Sequence, residues 1–200
     1  MLLSTGAVSA EPVQIVALGD SLTQGYGVFP GRGFVPQIET WLRAHGADVT
    51  VQNAGVSGDT TSGGLARVDW ALGDGADAMI VNLGGNDVLR GLDPATVRAN
   101  LDRILATGRA RGLPLMLVGL RAPRNYGPDY KAEFDAIYPD LAASYDAIFF
   151  PNFFEPLAGS GPGVDQSLMQ RDGIHPNAAG VTAIVEAMGP FVLQLIERVE

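Results

Sequence analysis

The strongest constraint on this chain is a pattern of runs. Five short apolar, β-branched stretches fall at residues 13–18, 48–52, 78–83, 114–120 and 147–150. The first, third and fourth are nearly continuous rather than alternating, as expected of strands covered on both faces. Stretches with apolar residues at helical spacing lie between and after them. Phe34, Ile38, Trp41 and Leu42 follow i, i+4, i+7, i+8, and Gly46 supplies a stop. Leu65, Val68 and Leu72 make a second stripe. Asp93 as N-cap and Pro94 at the first helical position open a third, with Val97, Leu101, Ile104 and Leu105 on its apolar face. Tyr130, Phe134, Ile137 and Leu141 form a fourth. The last begins near Asn177 and carries Val181, Ile184, Val185 and Met188; Pro190 is expected to kink or split it. Strict β-α alternation of this kind predicts an α/β protein: a five-stranded parallel sheet between two layers of helices, joined by right-handed crossovers.

Two hundred residues make about one domain, expected over residues 11–200. With 46% hydrophobic residues, the chain can build a core without disulfides or a structural metal. A net charge of -9 argues against nucleic acid and acidic lipid surfaces, because phosphate binding needs a basic face. No cysteine is present, so thiol nucleophiles, redox pairs and thiolate metal sites are excluded. With two histidines and no cysteine, a zinc site would have to lean on carboxylates and is not expected. No uninterrupted run of about 18 apolar residues occurs, so no membrane-spanning helix is expected. Residues 1–10 are small and uncharged, and Val8-Ser9-Ala10 ahead of Glu11-Pro12 has the pattern of a signal-peptidase site. Two readings stand: the remnant of an export signal, giving a periplasmic or secreted protein, or the frayed N-terminus of a cytoplasmic one. The stretch 156–163, rich in Gly and Pro, is the one long loop candidate.

In parallel sheets of this type, ligands sit beyond the carboxyl ends of the strands. Gly19-Asp20-Ser21-Leu22 follows the first strand, Asn53-Ala54-Gly55 the second and Gly84-Gly85-Asn86-Asp87 the third. Ser21, at a strand-to-helix turn, suits a nucleophile whose product is an oxyanion. A serine hydroxyl needs a base that is itself oriented. His45 falls in the last turn of a helix, where a surface role explains it. His175 lies in Asp172-Gly173-Ile174-His175-Pro176, and Asp172 is near enough to hold one ring nitrogen while the other faces Ser21. Asn86 carries an NH2 group, whereas ionised Asp87 can only accept, so Asn86 with the N–H groups of Ser21 and Gly55 makes a three-donor oxyanion hole. Glycine at 55 would let backbone approach a substrate closely. Loop hydrogen bonding accounts for Asp59 and Asp87.

These blocks resemble the SGNH, or GDSL, hydrolase family, and the four together are highly specific. The likeness to its bacterial acyl-CoA thioesterase I, lysophospholipase and arylesterase branch runs over nearly the whole chain. It includes Gly19-Asp20-Ser21-Leu22-Thr23-Gln24-Gly25-Tyr26-Gly27, Asn53-Ala54-Gly55-Val56-Ser57-Gly58-Asp59-Thr60 and the segment 121–139. The resemblance implies a flavodoxin-like sheet without metal or cofactor. It implies a serine esterase of small acyl esters or thioesters, with Ser21 as nucleophile, His175 as base and Asp172 as its orienter, and it implies export. Leu22, Leu89 and Ile174 are expected along the acyl chain, with Phe153 and Phe154 at the rim; core packing is the competing reading for each. The stretch 159–163 is longer than usual for the family, which bears on acyl-chain preference rather than on the chemistry. Within the family the alternative is an esterase for acetylated sugars. A flavin-binding module on the same sheet is the alternative of another class, but it gives no reason for Asn86 or the Asp172-x-x-His175 pair. An ordinary α/β-hydrolase would need Gly-x-Ser-x-Gly, and Thr23 stands two residues after Ser21. A P-loop would need a lysine after the first strand, and none is there.

Overall fold

The computed structural model describes residues 11–159 and 163–199. Residues 1–10, on which the export reading rests, lie outside it, as does the middle of the 159–163 stretch. Five strands, β1 (Val13–Gly19), β2 (Val49–Gly55), β3 (Ala78–Asn82), β4 (Leu115–Val118) and β5 (Ile148–Phe150), form one parallel sheet in the order β2-β1-β3-β4-β5. That is the flavodoxin-like order, with its switch point between β1 and β3. Every residue of β3 and β4 is buried, which is why their sequences read as unbroken apolar runs. β2 lies at an edge, and Gln52 and Asn53 are exposed within it. The strand therefore runs three residues past the apolar stretch that announced it.

Among the described residues, seven α-helices complete the fold: α1 (Ser21–Gln24), α2 (Phe34–Ala44), α3 (Thr61–Leu72), α4 (Gly85–Leu89), α5 (Pro94–Ala110), α6 (Pro128–Tyr145) and α7 (Ala178–Ile196). α2 packs on α7, while α5 packs between α3 and α6, which gives the two helical layers. Asp93 caps α5 by accepting from the Ala95 N–H, as its sequence anticipates. α7 is not split at Pro190. Ile184, Met188, Val192 and Leu195 are buried on both sides of it, so packing carries the helix across the missing hydrogen bond. Contrary to the expectation from uninterrupted apolar runs, α7 is long and apolar enough to cross a membrane by length and composition. Its buried stripe lies on α2 and β5, as in a core helix of a folded domain.

The register places the site. Gly19 pairs with Gly55 on one side and with Asn82 on the other, so the carboxyl ends of β1, β2 and β3 are level. The segments that follow them meet above that edge. α1 and α4, of four and five residues, are the short helices that begin there.

Candidate active site

β1 ends at Gly19, and Asp20 caps the short helix α1 by accepting the Leu22 N–H at Oδ1 (3.0 Å). Ser21 is the first residue of that helix. From the other end of the chain, a tight loop returns His175 to it. The loop is closed by hydrogen bonds from the Gln170 N–H to the His175 carbonyl (2.8 Å) and from the Gly173 N–H to the Gln170 carbonyl (3.0 Å). His175 Nε2 lies 2.9 Å from Ser21 Oγ, and Nδ1 lies 2.7 Å from Asp172 Oδ2. Asp172 Oδ1 accepts from the N–H groups of Ile174 (2.9 Å) and His175 (3.1 Å). The His175 hydrogen bond, helped by these two backbone N–H groups, holds the Asp172 carboxyl down to about 2. An ionised Asp172 can only accept, so Nδ1 carries the proton and Nε2 is left to accept from the Ser21 hydroxyl. The Tyr26 ring stands beside the imidazole, with centroids 4.7 Å apart. His45 is far simpler: its ring stacks on Trp41 at 3.6 Å and its Nδ1 lies 2.8 Å from the Trp41 carbonyl oxygen, on the surface.

Asn86 sits in the first turn of α4. The turn before it requires Gly84, whose φ is 117° and whose Cα faces the Tyr138 hydroxyl so closely that a Cβ would sit 2.2 Å from it. Asn86 Nδ2 donates to the Asp59 carbonyl (2.9 Å) and to Asp20 Oδ2 (3.3 Å). The neighbouring Asp87 carboxylate accepts from the Thr61 N–H (2.9 Å) and hydroxyl (2.7 Å), which ties α4 to α3.

A match to the GDSL-like Lipase/Acylhydrolase family covers residues 17–183, which takes in all of these groups. The chain belongs to that family. It is 36% identical over 197 residues to "Esterase TesA" of Pseudomonas aeruginosa, covering 98% of this chain and 94% of that one. It is 34% identical over 181 residues to the "Arylesterase" of Vibrio mimicus, covering 90% and 88%. Among solved structures, the TesA crystal structure superposes with a TM-score of 0.83 at 36% identity, covering 91% and 99%. AlinE4, described as an SGNH-hydrolase family esterase, superposes at 0.76 with 46% identity, covering 93% and 97%. As a GDSL-family member the chain is an ester hydrolase.

A cavity of about 610 Å³ opens on Ser21, Asn86 and His175. Leu22, Leu89, Phe154 and Ile174 line it, as the sequence anticipates, together with Leu120, Arg121, Val164 and Met169, which it did not single out. One expectation fails. Phe153 is not at the rim: it is 1% exposed and packs edge-on against Phe34 (6.2 Å) and Phe154 (5.3 Å) in the core. The two rings touch, with Phe153 on the core side and Phe154 lining the cavity. The Gly55 N–H, at the end of β2, donates to Asn53 Oδ1 (3.0 Å). Glycine at 55 is required by α1, since a Cβ there would sit 2.3 Å from the Gln24 nitrogen.

Asp20, which the sequence did not single out, is a buried carboxyl lining this cavity, 1% exposed. Burial raises its pKa from the usual 3.8 to about 6, against the opposing effects of the Leu22 N–H, His175 and Asn86. A carboxyl with a higher pKa in the fold than in the unfolded chain supports the fold in its protonated form. Its contribution is complete below about pH 4 and is lost as pH rises through about 6. The gap corresponds to about 3 kcal/mol. Asp20→Asn, uncharged throughout, is expected to gain stability relative to wild type by up to that amount between about pH 4 and pH 7. Urea unfolding of both proteins at both pH values measures it. A difference that does not change with pH would put Asp20 at its ordinary pKa.

Proposed function

We propose that Ser21, His175 and Asp172 form the catalytic triad of a carboxylic ester hydrolase that works through an acyl-enzyme. The observation that carries this reading is the unbroken line from Asp172 Oδ2 to His175 to Ser21 Oγ, with links of 2.7 and 2.9 Å, at the mouth of a largely apolar cavity. Ser21 Oγ attacks the substrate carbonyl as its proton passes to His175 Nε2. The negative charge that develops on the carbonyl oxygen is met by the Ser21 N–H and by Asn86 Nδ2. The longer of the two Asn86 contacts, 3.3 Å to Asp20, is the one the oxyanion would exchange. The intermediate collapses, and His175 returns the proton to the leaving alcohol or thiol. Water then attacks the acyl-enzyme with His175 as base, releasing the acid and restoring Ser21. Asp172 keeps the imidazole in the tautomer that can accept and stabilises the imidazolium that forms.

Substrate preference follows from the lining. Leu22, Leu89, Leu120, Val164, Met169 and Ile174 offer an acyl chain an apolar surface in a cavity of about 610 Å³, far more than an acetyl group fills. That favours acyl esters and thioesters with several carbons over acetylated sugars. Residues 11–200 form the mature hydrolase domain in this reading. Val8-Ser9-Ala10 supports export, and N-terminal sequencing of the protein recovered from outside the cytoplasm should begin at Glu11. A fluorophosphonate should label the enzyme once, at Ser21, and block hydrolysis of a p-nitrophenyl ester series whose rate peaks above the acetate. Labelling at another residue, or turnover that survives labelling, would overturn the triad.

A further inference from the structure

We propose that Arg67 is a positioning residue for this reaction, holding the ends of β1 and β2 and the Asn86 amide in one frame around Ser21. The inference rests on the esterase reading above. Arg67 lies on α3, and its guanidinium reaches the ends of β1 and β2. Nη2 donates to the Gly19 carbonyl, Nη1 to the Ala54 carbonyl and Nε to Asp59 Oδ2, each at 2.8 Å. The Gly19 carbonyl is the last on β1 before the turn that presents Ser21. The Ala54 carbonyl belongs to the last peptide of β2. The third strand end is reached through Asp59, whose backbone carbonyl accepts Asn86 Nδ2 at 2.9 Å. Among the described residues no other side chain bonds carbonyls at the ends of both β1 and β2.

The chemistry needs this residue type. A guanidinium is a planar fork of fixed N–H directions, and the Asp59 ion pair fixes the plane. The side chains of Arg67 and Asp59 are only 18% and 15% exposed, so the frame is held away from bulk water. A lysine ammonium would keep the charge opposite Asp59 but could not hold two carbonyls on neighbouring strands at set angles. The Ser21 N–H and Asn86 Nδ2 sit on different elements and must converge on one oxygen atom. Displacing such a constellation by about 1 Å costs ~10²-fold in rate, and losing one oxyanion donor costs ~10²–10³-fold.

Arg67→Lys should therefore lower kcat for a p-nitrophenyl ester by about 10- to 100-fold. KM and the thermal midpoint should stay near wild type. Competent sites are counted by end-point fluorophosphonate labelling, so that kcat refers to enzyme with a reactive Ser21. Arg67→Ala should fall further and regain part of its kcat when methylguanidinium is added. Arg111→Lys is the control: Arg111 also bonds carbonyl oxygens, those of Gly73 (2.6 Å) and Asp69 (3.4 Å), but on the surface far from Ser21, and its kcat should not change. The proposal is overturned if Arg67→Lys keeps kcat within about twofold, or if its loss matches the fraction of sites that no longer label. If Arg67→Ala does not fold, the Lys variant decides. Failure of the wild type itself to label or to turn over ester would count against the triad and not against this frame.

Discussion

Ser21→Ala is expected to lower kcat for a p-nitrophenyl ester by as much as ~10⁶-fold, because removal of the nucleophile of a triad abolishes the covalent route and leaves only what binding and oxyanion donors supply. The chain has no cysteine to take over. Ser57, a serine on the loop after β2, donates its hydroxyl to Gln24 Oε1, an amide oxygen that is not a general base. The fold should be untouched, since among the described residues the Ser21 hydroxyl bonds only His175. Steady-state kinetics and a thermal scan of the same preparation separate the two effects. A variant that folds and retains a few per cent of the rate would mean that the hydrolysis occurs elsewhere on the molecule.

How much of this could be read from the residues depends on what kind of partner each one has. The sheet was legible because β3 and β4 are covered on both faces and carry no polar residue except Asn82 at the very end. The end of β2 was not, because Gln52 and Asn53 face water on an edge strand and break the apolar run. α1 and α4 are too short to display a period. The Asp172–His175 pair was legible because three residues of separation already bring the side chains within reach. The fold then had only to close a separation of 154 positions to Ser21. A glycine records that something approaches closely but not what, and at Gly55 the backbone of Gln24 is one such neighbour. Phe153 was misread for a different reason. Phe153 and Phe154 are adjacent, and composition cannot say which of two neighbours faces the core. Arg67 gave no signal at all, because two of its three acceptors are backbone carbonyls, which every residue has.

Asp172→Asn tests the part of the triad that the sequence could suggest but not orient. The Asp172 carboxylate uses both oxygens, Oδ1 for the two N–H groups of Ile174 and His175 and Oδ2 for His175 Nδ1. Asparagine has one acceptor oxygen. If that oxygen keeps the backbone N–H groups, its NH2 faces Nδ1, and the imidazole must shift its proton to Nε2 to avoid two donors meeting. The nitrogen that should take the Ser21 proton is then already protonated, and the serine is left without a base. The expected result is a loss in kcat on the order of 10⁴-fold. KM should change little, because Asp172 does not line the cavity. The pH behaviour distinguishes this from a simple loss of loop structure. The wild-type carboxyl is held near 2, below its usual 3.8, so what it adds to stability is complete above about pH 4 and is lost only as pH falls through about 2. Above about pH 4 Asp172 stays ionised, so its own titration does not enter the comparison. Stability should fall little in the variant, since the carboxylate is about a third exposed and solvent screens its interactions. A thermal midpoint that drops steeply while kcat per labelled site stays within tenfold would reduce Asp172 to a staple of the 170–175 loop and leave His175 to work alone.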